Sequence, residues 1–362
     1  MPLSSKSVMI TVQGVALRTL YRLPPRIRRL LAGPPIRIDG QELALDAQLL
    51  LRARELAGMP SLFGGDPVKA RRNLEESSGL VGGPPIGPMD VRDLAVGSVP
   101  ARLYTPTGLP VGSPLLVFFH GGGFVLGSVE SHDTVCRFLA KYARVRVLSV
   151  DYRLAPEHRF PHGVDDAIAA FRYAHANARE LGADPSSIAV GGDSAGGNLA
   201  TVVALVTTRE GGPQPAFQLL LYPTTDGTRA TRSKELFAEG FFLSKADIDW
   251  VGEQYPATQQ DKLDPRYSPA LAPDLSGLPP AYLATAGFDP LRDEGELYAA
   301  LLREAGVPVV LSRHDDLIHG YANFLTVGTR FREAMYEAAG ALRTGLAMRT
   351  GDQRAHAGES PG

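Results

Sequence analysis

Cysteine is almost missing from this chain of 362 residues, where Cys136 stands alone. One cysteine excludes an intramolecular disulfide and leaves no paired-thiol site for a metal. An H-E-x-x-H pattern is missing as well, so neither a metal nor any other cofactor is expected. Charge of one sign is scarce: 37 Lys and Arg face 39 Asp and Glu, a formal net charge of −2. That balance gives no basic surplus to meet nucleic acid, and no nucleic-acid partner is expected. No apolar run approaches the ~20 residues that cross a bilayer. A secretory signal is excluded too, because Arg18, Arg22 and Pro24-Pro25 interrupt the N-terminal apolar stretch. The expected compartment is the cytoplasm. Internal repeats are also lacking.

What is present suits a large core, since 44% of residues are hydrophobic. Residues 1–90 read as helical and irregular, with Ala44 to Ala57 the clearest helix. Gly82 to Pro88 is a turn-rich linker. From Met89 onward strands and helices alternate, which predicts a mostly parallel sheet with helices on both faces. Val91–Leu94 and Ala101–Tyr104 suit an antiparallel start, Val145–Asp151 a buried strand, Asp165–Glu180 a helix and Leu219–Tyr222 another strand. Residues 226–265 form an insertion between core elements, and 349–362 a polar, disordered tail. Cys136 falls in an apolar helical stretch, where burial is its expected role.

The most informative segment is Gly192-Asp193-Ser194-Ala195-Gly196. It follows the apolar run Ser187 to Gly191 and opens the helical run Asn198 to Leu205. Strand, sharp turn and helix form the context of a nucleophile elbow. Glycine is needed on both sides of the serine because a side chain there would strike the neighbouring strand or helix. The helix N-terminus below the serine favours negative charge.

Upstream, the apolar run Leu115 to Phe119 enters His120-Gly121-Gly122-Gly123-Phe124. An oxyanion hole needs backbone N–H groups aimed at one point, with no side chains in the way. The alternatives are weaker. No Lys-Ser or Lys-Thr follows for a phosphate loop, and Leu126 stands where G-x-G-x-x-G needs its third glycine.

An acid and a histidine are expected after the elbow, in that order. The histidines beyond Ser194 are His314, His319 and His356. His356 lies in the polar tail. Val307 to Leu311 reads as a buried strand, with His314 at its end as a surface residue and His319 in the loop beyond, so His319 is preferred. The strand-like run Pro280 to Ala286 ends near Asp289-Pro290. Asp289 suits a triad acid and equally a helix N-cap, whereas Asp293 and Glu294 suit the first turn of the next helix.

Five short segments in this order resemble the hormone-sensitive-lipase family of α/β-hydrolases, in its bacterial esterase branch. They are His120 to Phe124, Tyr152-Arg153-Leu154-Ala155-Pro156-Glu157, Gly192 to Asn198, Asp289 to Glu294 and His319-Gly320-Tyr321, and the likeness spans roughly residues 80 to 345. The resemblance implies an α/β-hydrolase fold in residues 91–348, with a helical cap built from residues 1–90 and the 226–265 insertion. It implies Ser194, Asp289 and His319 as catalytic residues. The oxyanion donors would come from the run Gly121, Gly122 and Gly123, most readily the last two, together with Ala195. Within the cap, Phe241, Phe242 and Leu243 suit the substrate pocket and equally ordinary packing of the cap.

The implied activity is a serine carboxylesterase for short- to medium-chain acyl esters. A lipase, deacetylase or amidase on the same site is the alternative, and a non-catalytic ligand-binding relative is the reading from another class. The partner is a small ester. An exposed edge strand leaves room for a homodimer. The basic N-terminal segment suits a lid with a solvated face, with contact to an anionic membrane surface as the alternative.

Overall fold

The computed structural model describes residues 5–358. The chain starts with α1 (Ser5–Arg22), α2 (Pro25–Ala32), a small hairpin of β1 (Arg37–Ile38) and β2 (Gln41–Glu42), then α3 (Leu45–Leu56) and α4 (Pro67–Gly82). The central sheet follows, made of β3 (Met89–Val96), β4 (Val99–Pro106), β5 (Ser113–Phe119), β6 (Arg146–Val150), β7 (Ala183–Asp193), β8 (Gln218–Leu221), β9 (Ala281–Phe288) and β10 (Val309–Ile318). Its spatial order is β10-β9-β8-β7-β5-β6-β4-β3. β3 and β4 pair antiparallel, as β4 does with β6, and the remaining pairs are parallel.

The apolar run of β5 shows why its sequence does not alternate. Leu115, Val117 and Phe119 pack into one layer, with α6 (His162–Ala176), α7 (Ala195–Arg209) and α10 (Arg292–Glu304). Leu116 and Phe118 pack into the other, with α5 (Asp133–Ala143) and α11 (Arg330–Gly358). A parallel strand covered on both faces needs apolar residues at every position. Cys136 is fully buried on α5.

Two local expectations change. β10 is an edge strand and not a buried one, and Val310 is 62% exposed. It has one neighbouring strand, so apolar content alone did not reveal its place. His314 is buried and not on the surface: its ring meets the Tyr321 ring edge-on, and it pairs with Arg330 on α11. At the C-terminus α11 continues to Gly358, where composition suggested a tail from 349; residues 359–362 lie outside the described ones.

The insertion carries α8 (Arg232–Leu236) and α9 (Lys245–Gln254) and meets the N-terminal elements. Ser61 Oγ donates to Asp247 Oδ1 at 2.6 Å, and the Phe63 ring lies 6.2 Å from that of Trp250, edge-on. Part of the N-terminal basic charge is taken up internally. Arg28 pairs with Asp46 at 2.5 Å, and Arg29 donates to Gln48 Oε1 at 2.9 Å. Among the described residues no helix is long and apolar enough to cross a membrane.

Candidate active site

Ser194 sits between the end of β7 and the start of α7 with φ 54° and ψ −118°. A non-glycine residue held there is strained, as a nucleophile elbow requires. The flanking glycines are obligatory. A Cβ on Gly192 or on Gly196 would run into the Phe119 carbonyl oxygen. The serine is thus lifted out of the sheet by a turn that no larger residues can make.

Asp289 directly follows β9, and His319 directly follows β10, so adjacent strands deliver both at their C-terminal ends. His319 Nε2 lies 3.0 Å from Ser194 Oγ, and His319 Nδ1 lies 2.7 Å from Asp289 Oδ2. The other Asp289 oxygen accepts the Leu291 N–H at 2.8 Å. The two expectations for Asp289, cap and histidine partner, therefore hold together, one on each oxygen. Tyr222 presses edge-on against the His319 ring at 4.8 Å and accepts the Ala322 N–H at 3.3 Å. This braces the histidine loop from below.

The other acids face elsewhere. Asp293 accepts from the Ser233 N–H at 2.7 Å and from Arg292 Nε at 2.9 Å. Glu294 is fully buried, takes the Thr225 N–H at 2.9 Å and pairs with Lys234 at 2.6 Å. His314 takes no part in the Ser194 cluster.

The glycine loop separates into two roles. The Gly121 N–H donates to Asp193 Oδ1 at 2.9 Å and is not free to serve an oxyanion, which removes it from the expected donor set. Gly122 (φ 116°) and Gly123 (φ 62°) adopt conformations that suit glycine. Among the described residues their N–H groups and that of Ala195 donate to no other group. Ala195 opens α7, so its N–H is one of the free donors of a helix N-terminus.

Asp193 anchors this corner. Burial raises its pKa, but His132, 3.3 Å away, and the Gly121 N–H outweigh burial and hold it below the usual carboxylate value. His120, buried against Tyr152 and facing His132, is pushed down to about 3, chiefly by desolvation.

The three cap residues diverge. Phe242 lines a cavity of about 580 Å³ that also holds Ser194 and His319. Leu243 lines a second cavity, of about 290 Å³, on which Ser194 also opens. Phe241 belongs to neither. Its ring packs against Phe237 at 5.5 Å and Phe288 at 5.3 Å, in the core beneath the site. Phe242 has φ 76°, and this turn sends consecutive side chains in opposite directions.

The family model described as alpha/beta hydrolase fold matches residues 116–323, more than half of the chain. The chain belongs to the α/β-hydrolase family. Carboxylic ester hydrolase LipN of Mycobacterium tuberculosis is 46% identical over 94% of each chain. Ethyl acetate hydrolase of Pseudomonas putida is 38% identical over 81% of this chain and 94% of its own. Among solved structures, the hyperthermophilic esterase of Pyrobaculum calidifontis aligns with TM-score 0.77 at 41% identity, over 82% of this chain and 97% of that one.

Several supports of this α/β-hydrolase site escaped the sequence reading. Arg71 on α4 donates to the carbonyls of Val125 (2.8 Å) and Ala155 (2.7 Å) and pairs with Glu157 at 2.6 Å. It ties α4 to the segment that follows the glycines. Tyr152 donates to the His120 carbonyl at 2.8 Å. The segment Tyr152 to Glu157 was visible as a motif, but its partners are far away in sequence and only the fold brings them together.

Proposed function

We propose that this hydrolase is a serine carboxylesterase for short- to medium-chain acyl esters. The observation that carries the reading is His319 itself, hydrogen-bonded on one side to Ser194 and on the other to Asp289. In this reading Ser194 Oγ attacks the ester carbonyl carbon while His319 Nε2 takes its proton. Asp289 holds the ring in the tautomer with hydrogen on Nδ1 and stabilises the cation that forms. The oxyanion accepts the N–H groups of Gly122, Gly123 and Ala195, and losing one such donor costs about 3–4 kcal/mol of barrier. The bond to the alcohol oxygen breaks as His319 returns the proton to it. Water, activated by the same histidine, then releases the acid from Ser194. Residues 1–90 and 226–265 act as the cap, which excludes bulk water during these steps.

Hydrolysis of p-nitrophenyl esters from acetate to palmitate, by wild type and Ser194→Ala, tests the reading. Ser194-dependent turnover that peaks at short or medium chains is expected. A peak at the longest chains would make the protein a lipase. No turnover by folded protein would point to an amide substrate or to ligand binding without catalysis.

A further inference from the structure

Ser194 stands between two cavities of unequal size and unlike walls. The larger, about 580 Å³, carries His319 and Gly320 on its wall, with Phe324 beside them and Leu17, Leu20 and Leu74 from the N-terminal helices. The smaller, about 290 Å³, carries Gly123 and Ala195, and its wall mixes Lys234, Asp249 and Glu294 with Phe124, Leu243 and Val251. His319 lines the larger cavity and not the smaller.

This asymmetry decides how an ester must lie, given the esterase reading above. The leaving alcohol oxygen has to take its proton from His319 Nε2 and so lies within hydrogen-bond reach of it. The alcohol half therefore occupies the cavity that His319 lines. At a tetrahedral carbon the remaining substituent, the acyl chain, points away from the histidine, into the smaller cavity.

The walls reinforce the assignment. In the smaller cavity Glu294 is fully buried and holds the Lys234 ammonium at 2.6 Å and the Thr224 hydroxyl at 2.9 Å. A long alkyl chain lying there would cover the Asp249 carboxylate and the part of Lys234 that still meets water, and offer those groups nothing in return. The larger cavity also carries Arg54, His132 and Asp193, but its wall is mostly apolar, and a methylene laid against its leucines and phenylalanines leaves water at little polar cost.

We infer that the substrates are esters of a short acid with a bulky apolar alcohol. In acylation the Ser194 Oγ–carbon bond forms and the carbon–alkoxy bond breaks. The alcohol takes the His319 proton and leaves through the larger cavity. The short acyl group stays in the smaller one. Water then enters on the vacated His319 side.

Octyl acetate and ethyl octanoate test this directly. They are isomers, alike in size and apolarity, that differ in which half carries the chain. Their kcat/KM values are measured by acid release below solubility, with p-nitrophenyl acetate and Ser194→Ala as controls. Wild type is expected to prefer octyl acetate by at least roughly tenfold. Leu20→Trp, which fills part of the larger cavity, is expected to lower that ratio by about fivefold or more. Equal rates, a preference for ethyl octanoate, or a ratio that Leu20→Trp leaves in place would overturn the inference. So would failure on both isomers while p-nitrophenyl acetate is cleaved through Ser194, and in that case the esterase reading would survive. Failure on p-nitrophenyl acetate as well would remove the esterase reading and this inference with it.

Discussion

Asp289 shows how one side chain serves two structural purposes. One oxygen caps the turn at Leu291 and the other holds His319. Asp289→Asn keeps the shape but offers the imidazole the wrong partner. We predict a fall in kcat of roughly 10⁴ with the fold intact, read by p-nitrophenyl acetate turnover beside near-ultraviolet circular dichroism. Near-normal activity would mean that another carboxylate supplies the role. That Ser194, Asp289 and His319 meet was legible in sequence because each stands where an apolar run meets glycine or proline. Gly121 and Phe241 were not legible. Three successive glycines look alike until the Asp193 carboxylate occupies one N–H. Phe241 and Phe242 look alike until the backbone at Phe242 turns to φ 76°.

At the scale of elements, the Arg71 guanidinium fastens α4 to the segment beyond the glycine loop, beside a hydrogen bond from Ser128 Oγ to Glu75 at 2.8 Å. Arg71 satisfies two backbone carbonyls and one carboxylate. Arg71→Met leaves those carbonyls without their donor, and we predict a loss of about 1–3 kcal/mol in denaturant unfolding. A drop in kcat should accompany it, because the glycine amides are aligned by the same segment. Unchanged unfolding and unchanged turnover would show that α4 needs no such tie. The elements themselves were largely readable, since buried parallel strands give continuous apolar runs. Position within the sheet was not. The run around Val309 is as apolar as an inner strand, yet β10 lies at the edge, and no local pattern encodes which strands are neighbours.

For the whole molecule, the two packed layers hold a polar corner of His120, His132, Asp193 and Tyr152 beside the glycine loop. His120 takes up a proton near 6.5 when free and only near about 3 in the fold. Between those values the unfolded chain carries the extra proton. The stability tied to keeping His120 neutral is therefore full above about 6.5 and is lost as the pH drops towards about 3. Thermal unfolding across that range should show the loss, and His120→Gln should flatten it. The α/β architecture itself was legible from alternating elements and ordered motifs. The division of the space around Ser194 into two cavities was not, because residues distant in sequence build each wall.

The proposed nucleophile is Ser194, served by His319. Labelling with diethyl p-nitrophenyl phosphate tests it most directly, since the serine oxygen bonds to phosphorus and p-nitrophenolate leaves. Peptide mass analysis should find one diethylphosphoryl group, on the peptide that carries Ser194, with esterase activity lost in step. Ser194→Ala should take up none, and His319→Ala should react far more slowly. Labelling at another serine, or ester turnover that persists once Ser194 is fully labelled, would mean that Ser194 is not the nucleophile.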